Sequence, residues 1–244
     1  MDIVVQMFSY PSMDRRYYPW PQIRDLVASD DDWETLRASH GFPRITGLIP
    51  EVDLAIFLSL YRPPDDDPPW TWGYTPIGGR LHEAKYDRST SGAARAEARL
   101  TLRSLLADYV AEHLLLRNVA VAALPSSDPN APDANDLPEF LVEGLRQTHR
   151  IVQFERIAVP LKRQKELTDS DDPIANQRGT LRANFTNVTD LLIVDDLVES
   201  GGSFQEAARA AREVGVNRVF ALGITKTWKG CRGLPREWVE PNHE

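Results

Sequence analysis

The segment LLIVDDLVESGGSFQEAARAAREVG (191–215) combines residue types that could hold a phosphorylated sugar. A short apolar run leads into Asp195 and Asp196, and the residues E-S-G-G-S (199–203) follow before a helical pattern begins. Small residues let backbone N–H groups turn around an anion, and the amino end of a helix adds partial positive charge. The hydroxyls of Ser200 and Ser203 are further donors, and the two acids could accept hydrogen bonds from sugar hydroxyls. This spacing describes a pocket for ribose 5-phosphate.

Each half of this pattern also has a simpler interpretation. Two adjacent acids can cap a strand, or form a magnesium site of the phosphatase or receiver type. The run S-G-G-S (200–203) is compatible with a simple tight turn. Their order and spacing after an apolar strand favour the sugar-phosphate interpretation.

The elements that must position this segment alternate between strand and helix. Three short apolar runs predict buried strands, at 118–124, 190–194 and 218–224. Helical patterns are found at 92–116, 137–149 and 203–214, and Gly215 is predicted to cap the last of these in a left-handed conformation. Alternation of this kind predicts an α/β fold with a mostly parallel, twisted sheet flanked by helices. Sites in such sheets lie at the carboxyl ends of strands, so the loops after 124, 194 and 224 are expected to carry the chemistry.

The amino-terminal part of the chain has a different character. It contains several tryptophans, one predicted strand at 52–61 and the proline-rich run RPPDDDPPW (62–70), which predicts a loop. We therefore expect an irregular α+β appendage over residues 1–78, packed on an α/β domain over residues 79–244.

Composition narrows the class of protein. The 244 residues have a net charge of −8, which argues against general binding of DNA or RNA. The single cysteine, Cys231, excludes an internal disulfide framework and a cysteine-based zinc site. We see no apolar run long enough to cross a bilayer and no export signal, so a cytoplasmic protein without a membrane partner is expected.

The segment V-D-D-L-V-E-S-G-G-S (194–203) resembles the phosphoribosyl pyrophosphate (PRPP) motif of type I phosphoribosyltransferases, with serines in place of threonines. The runs L-H-E-A-K-Y-D (81–87) and L-R-A-N-F (181–185) resemble the ComF subgroup of that family. The resemblance implies that Ser200, Gly201, Gly202 and Ser203 bind the 5-phosphate. It also implies that Asp195 and Asp196 hold the ribose hydroxyls.

The resemblance implies two further binding segments. In the family, the loop after the first core strand binds pyrophosphate, and the matching residues here are Pro125, Ser126 and Ser127, although a generic proline turn is an equal alternative. The family also closes a mobile basic loop over the ligand. The stretch 162–182 matches it by location and charge, and a solvated loop is the alternative. Its candidate residues are Arg163, Lys165, Arg178 and Arg182.

Three departures from the family pattern bear on activity. The zinc ribbon of the ComF pattern is missing, and so is the Arg-Gly-Phe-Asn-Gln run expected after the pyrophosphate loop. Glu199 replaces a usual threonine, at a step where purine-salvage members carry an aspartate. Glu199 is therefore either a catalytic acid or base, or a sign of drift away from catalysis.

The resemblance also implies a reaction, a cofactor and an acceptor side. A nitrogen acceptor would displace pyrophosphate from PRPP, with Mg²⁺ carried mainly by the substrate and possible help from Asp195 and Asp196. Lys226 matches a lysine that meets the base in purine-salvage members, and Trp228 could stack on a ring or simply pack in the interior. A homodimer or an operon-encoded partner protein is possible. The alternatives are a PRPP- or nucleotide-sensing module without turnover, an accessory protein, and a phosphohydrolase with Asp195 as nucleophile.

Overall fold

The structure is a computed structural model that describes residues 5–7, 21–23, 51–61, 74, 76–87, 90–113, 118–127, 136–160 and 173–227. Its strands are β1 (Val5–Met7), β2 (Pro21–Ile23), β3 (Leu54–Leu60), β4 (Ala120–Ala123), β5 (Arg150–Ile151), β6 (Phe154–Arg156), β7 (Leu181–Ala183), β8 (Asp190–Val198) and β9 (Arg218–Lys226). Its helices are α1 (Pro76–Lys85), α2 (Gly92–His113), α3 (Leu137–Glu143), α4 (Pro173–Gln177) and α5 (Gly202–Glu213). The predictions for Arg163, Lys165 and Trp228, and most of those for the amino-terminal appendage, fall outside the described residues.

A five-stranded sheet forms the centre of the molecule. Its strand order is β3-β9-β8-β4-β5, and every neighbouring pair is parallel. Two antiparallel pairs, β1 with β2 and β6 with β7, lie outside this sheet. The prediction of an α/β fold with a mostly parallel sheet flanked by helices is confirmed.

The strand β3 belongs to this sheet although it comes from the amino-terminal part of the chain. It pairs with β9 from Leu54 opposite Phe220 to Leu60 opposite Lys226. Ala55, Ile56 and Phe57 are all buried, so both faces of the strand are covered, as is usual in parallel sheets. The boundary at residue 78 stays a prediction, but this strand packs with the residues beyond that boundary.

The strand β8 is longer than its apolar run. We predicted a strand over 190–194 with the two acids in the loop after it, and this was wrong: β8 continues to Val198. The partner strand β9 provides hydrogen bonds along this extension, from Asp195 opposite Gly223 to Val198 opposite Lys226. On the other side, β4 ends at Ala123, which lies opposite Val194. The edge of β8 that carries the acids is therefore beyond the end of β4.

Close packing beside this extension depends on a glycine. A Cβ atom at Gly223 would lie 2.6 Å from Cγ2 of Val198 and 2.9 Å from Cδ1 of Phe57. Non-bonded carbon atoms do not approach this closely, so a side chain at Gly223 would displace the side chains of Val198 on β8 and Phe57 on β3. Glycine at this position therefore lets these two side chains pack over β9.

The apolar stripes predicted for the helices face the core. In α2 the buried residues recur with helical spacing: Ala98, Leu102, Leu105, Leu106, Tyr109 and Val110. In α5 the alanines Ala207, Ala208, Ala210 and Ala211 are buried against the sheet, and Gly215 follows the helix with a φ of 90°. That left-handed conformation confirms the predicted cap. Among the helices of the described part of the chain, none combines the length and apolar character that crossing a bilayer would require.

Candidate functional site

The two acids of β8 have different surroundings. Adjacent residues in a strand point to opposite faces of a sheet, so Asp195 and Asp196 do not share one environment. Asp196 is 1% exposed, and its Oδ1 accepts a hydrogen bond of 2.9 Å from the ammonium of Lys85. Asp195 is half-buried, and its Oδ1 accepts the backbone N–H of Asp196 at 2.9 Å. One acid is thus in a buried ion pair, while the other lies at the surface of the site.

Lys85, the last residue of α1, is a site residue that sequence reasoning missed. Burial alone would lower the pKa of this ammonium, but the nearby Asp196 carboxylate outweighs that effect and the pKa is raised. The lysine therefore stays charged, and the pair is a true ion pair. The run L-H-E-A-K-Y-D (81–87) signalled a family resemblance, but nothing in it could indicate a contact with a residue 111 positions away.

The carboxyl of Asp195 is electrostatically strained. Burial, and then the charge of Asp196, raise the pKa of Asp195 to about 8, although the charge of Lys85 acts in the opposite direction. Two neighbouring carboxyls share one lysine, so the second carboxyl retains a proton near neutral pH. Strongly shifted acids of this kind are typical of functional sites.

A glycine turn joins β8 to α5 and contains the predicted phosphate-binding residues. Gly201 has a φ of 82°, a left-handed conformation that is costly for residues with a Cβ atom, and α5 begins at Gly202. The Oγ of Ser200 accepts the N–H of Gly202 at 3.4 Å. Ser203 is half-buried in the first turn of the helix. The structure therefore brings residues 199–203 together at the amino end of α5, directly after the acids.

Lys226 supports this turn from the end of β9. It is 3% exposed, and its Nζ donates to the carbonyl of Glu199 at 2.5 Å and to that of Thr227 at 3.2 Å. In this structure its ammonium therefore orients the backbone of the turn. The predicted contact of Lys226 with an acceptor base stays a prediction. Glu199 is partly buried at the start of the same turn.

The loop after β4 is held by an arginine that the sequence analysis did not single out. Arg156, at the end of β6, donates from Nε to the carbonyl of Ser126 and from Nη2 to the carbonyl of Pro125, both at 3.1 Å. Its Nη1 donates to Oγ1 of Thr180 at 2.8 Å. Burial lowers the pKa of Arg156, while the charges of Glu206 and then Asp195 oppose that shift. The predicted pyrophosphate loop is thus tied to the β6–β7 pair by an arginine that lies within electrostatic reach of Asp195.

The described part of the predicted basic loop is residues 173–182, its carboxyl-terminal end. The antiparallel pairing of β6 with β7, from Phe154 opposite Ala183 to Arg156 opposite Leu181, joins this end to the strand that precedes the loop. Arg182 is exposed and bonds Glu155 through Nη2 at 2.5 Å. Arg178 is exposed in the turn after α4. The structure therefore places these two basic residues on the surface of the hairpin base.

Aromatic side chains lie on the other side of Lys85. The ammonium of Lys85 is 5.2 Å from the centre of the Tyr86 ring. Tyr86 neighbours His82, which stacks on Tyr74 with ring centres 4.5 Å apart and forms a hydrogen bond of 3.0 Å with the Tyr61 hydroxyl. These four rings form one cluster beside α1, and Tyr86 is the member of it that contacts the lysine holding Asp196.

The acids fit magnesium only together with a ligand. The described residues contain no group of three or more His, Cys, Asp or Glu side chains placed to share a metal ion. Mg²⁺ usually keeps several waters and binds one or two carboxylates together with substrate phosphates. Asp195, the more exposed of the two acids, therefore suits an ion that arrives with a phosphate ligand, whereas Asp196 is paired with Lys85.

Known proteins match this chain only in part. No protein-family model matches the chain. Among solved structures it resembles a hypoxanthine phosphoribosyltransferase of Staphylococcus aureus, with a TM-score of 0.30 and 13% identity, over 52% of this chain and 62% of that chain. It is 37% identical over 75 residues to a ribose-phosphate pyrophosphokinase of Shewanella oneidensis, a match that includes 27% of this chain. The chain thus spans 24% of the length of that relative, and it is similar to a segment of an enzyme that, by its name, acts on a ribose phosphate.

Proposed function

We propose that this chain binds PRPP and transfers its phosphoribosyl group to a nitrogen acceptor, with release of pyrophosphate. The observation that carries the proposal is the order of features along the open edge of β8. Past the end of β4, this part of β8 carries the half-buried Asp195 and the buried Asp196, and the glycine turn at 199–203 follows and leads into the first amides of α5. Carboxylates that can accept hydrogen bonds from sugar hydroxyls come first, and N–H and O–H groups that can donate to a phosphate follow. This order matches the two ends of a ribose 5-phosphate.

The phosphate end of the ligand would bind at the turn. Gly201 in its left-handed conformation lets the backbone reverse, so the N–H groups at the start of α5 point out of the helix end. The hydroxyls of Ser200 and Ser203 add donors. A terminal phosphate with two negative charges gains both from these hydrogen bonds and from the helix dipole.

The ribose end would lie beside the acids. Displacement at C1 passes through a transition state with positive charge on the ribose ring, and a fixed carboxylate stabilises that charge. Lys85 holds the Asp196 carboxylate in one position. Asp195 would give up its proton on binding and accept hydrogen bonds from the ring hydroxyls.

The leaving group would bind across the site, at the loop of Pro125, Ser126 and Ser127. The basic residues Arg178 and Arg182, with Arg163 and Lys165, would approach it from the β6–β7 segment. Mg²⁺ bound to the substrate phosphates, with one or two carboxylate contacts, would neutralise charge as pyrophosphate departs.

The acceptor side is proposed from the resemblance to the family. Glu199 would exchange a proton with the acceptor, and Lys226 and Trp228 would line its pocket. The ComF-like character is also a proposal. It gains support from Lys85, which lies in the run L-H-E-A-K-Y-D (81–87) and contacts Asp196.

A non-catalytic PRPP sensor is the second candidate. Glu199 and the missing Arg-Gly-Phe-Asn-Gln run favour it, and so does the neutralisation of Asp196 by Lys85, which reduces the negative charge available to a cationic transition state. A phosphohydrolase is disfavoured, because a nucleophilic Asp195 would have to be ionised while its pKa is raised.

The first experiment separates binding from turnover. Calorimetric titration with PRPP and with ribose 5-phosphate measures binding, and a pyrophosphate-release assay over a panel of bases and amines measures transfer. Both ligands are expected to bind, and at least one acceptor is expected to release pyrophosphate. PRPP binding without release for any acceptor would favour the sensor, and binding of neither ligand would refute both candidates.

A substitution in the turn tests where the phosphate binds. Ser203→Glu puts a carboxylate and extra bulk among the proposed phosphate donors, so we expect PRPP affinity to fall at least about a hundredfold, beyond the effect of losing one hydrogen bond. The exposed helix residue Glu213→Gln is a control in the same element. Unchanged PRPP affinity in Ser203→Glu would show that the phosphate does not bind at this turn.

A further inference from the structure

Arg156 donates hydrogen bonds to two separate segments of the chain from one guanidinium. It is half-buried and donates to two successive backbone carbonyls, those of Pro125 and Ser126, while Thr180 accepts a third hydrogen bond and Gln177 a longer one of 3.5 Å. One guanidinium thus joins the loop after β4 to the segment that precedes β7. The rigid, forked shape of arginine suits this use, because several donors of one planar group act together.

These contacts determine which way the loop amides point. In a trans peptide the C=O of one residue and the N–H of the next point in opposite directions, and the described residues contain no cis peptide. The carbonyls of Pro125 and Ser126 both point to Arg156. The N–H groups of Ser126 and Ser127 therefore both point away from it, to the other side of the loop.

Two successive N–H groups directed to one side form a concave surface that suits an anion. An ordinary extended chain would send them to opposite sides. Ser127 is exposed, so an anion can reach this side of the loop from solvent. The loop also follows β4 at the carboxyl end of the parallel sheet, where ligands bind in this class of fold.

We propose that Arg156 is a positioning residue for an anion site at residues 125–127, and that it acts by holding two carbonyls so that the amides of Ser126 and Ser127 can bind a pyrophosphate group. The assignment of that anion as pyrophosphate rests on the proposed function. Because Thr180 accepts from the same guanidinium, Arg156 links the anion site directly to the base of the β6–β7 hairpin. Loss of Arg156 should then affect the pyrophosphate end of the ligand and leave the ribose 5-phosphate end unchanged.

The test compares two ligands in matched arginine variants of the full chain. Arg156→Met removes both carbonyl contacts, Arg156→Lys retains the charge but not the fork, and Arg150→Met is the control. Arg150 also donates to two backbone carbonyls, those of Thr186 and Asn187, both at 3.0 Å, but at the opposite end of the sheet. Calorimetry with inorganic pyrophosphate and with ribose 5-phosphate, with and without Mg²⁺, measures both ends of the ligand for each variant.

We expect Arg156→Met to weaken pyrophosphate binding about tenfold or more and to change ribose 5-phosphate binding less than about twofold. The pyrophosphate affinity of Arg156→Lys should lie between that of Arg156→Met and that of the unchanged protein. Arg150→Met should bind both ligands with the affinity of the unchanged protein. Amide NMR shifts of Ser126 and Ser127 during a pyrophosphate titration give a second readout, which holds even if Arg156→Met fails to fold.

The remaining outcomes are also decisive. Equal loss of both ligands in Arg156→Met, no loss of either, or no pyrophosphate binding and no shift of these amides in the unchanged protein would overturn the role of Arg156. Pyrophosphate binding that depends on Arg156, without any ribose 5-phosphate binding, would support the anion site and refute the proposed transferase.

Discussion

The two ends of the central sheet use charged residues in different ways. At the amino end, Arg218 of β9 forms two hydrogen bonds, of 2.8 and 2.7 Å, with the carboxylate of Asp190 of β8. Asp53, just before β3, accepts the N–H of Val219 at 2.7 Å and pairs with Arg212. Each acid there has its own arginine.

At the carboxyl end, two acids are served by one paired lysine. Asp195 and Asp196 are adjacent, and Lys85 is the lysine that pairs with Asp196. The raised pKa of Asp195 reflects this excess of acid in a buried place. The amino end therefore holds the strands together, whereas the carboxyl end carries an electrostatic cost that a cationic or hydroxyl-bearing ligand could relieve.

The largest loss of stability is expected from removing the ammonium of Lys85. Lys85→Met leaves the carboxylate of Asp196 buried without its ion pair, so the unfolding free energy should fall by about 3–5 kcal/mol. Urea denaturation measures this loss. Lys85→Arg keeps the charge and should recover part of the stability. A loss below about 1 kcal/mol in Lys85→Met would mean that the pair contributes little and that the contrast between the two ends is wrong.

A smaller change in stability is expected from the titration of Asp195. Because the folded state holds a proton on Asp195 that the unfolded chain has lost, the stability of the natural protein should fall as pH rises from about 4 to about 8. The slope from this one proton is at most about 1.4 kcal/mol per pH unit, so the loss between pH 6 and pH 8 is at most about 2.8 kcal/mol. Asp195→Asn should remove this component, which urea denaturation at pH 6 and pH 8 can detect.

The same variant should respond differently to the ligand. An amide cannot become negatively charged, so we expect Asp195→Asn to bind PRPP about tenfold more weakly at pH 8. Affinity of the natural protein should rise between pH 7 and pH 9 as Asp195 loses its proton, and that of the variant should not. Parallel pH profiles for the two proteins would place Asp195 outside the binding site.

The smallest change in PRPP affinity is expected from a substitution at the amino end of the sheet. Arg218→Met removes both hydrogen bonds to Asp190 and should lower the unfolding free energy by about 2 kcal/mol. PRPP affinity should remain unchanged in calorimetry, because these residues lie at the opposite end of the same strands. A loss of affinity comparable to that of Asp195→Asn would show that the two ends are not independent.

Much of the fold could be predicted because its signals are local. The apolar runs at 118–124, 190–194 and 218–224 each contain an observed strand or its start, and the stripe of α2 is buried as expected. The turn after Glu199 could be located because paired glycines flanked by serines favour a turn. The end of β8 could not be predicted, since an acidic pair interrupts the apolar pattern while hydrogen bonds from β9 continue the strand.

The sequence by itself determined the order of acids, glycine turn and helix within one stretch of chain, because neighbouring residues decide periodicity and turn formation. The tertiary structure alone decided the partners of those residues. Lys85 reaches Asp196 because α1 packs at the end of β3 and β9, and Arg156 reaches Pro125 because β6 returns beside the loop after β4. Such contacts depend on how distant strands are ordered in the sheet, and no spacing along the chain encodes that order directly.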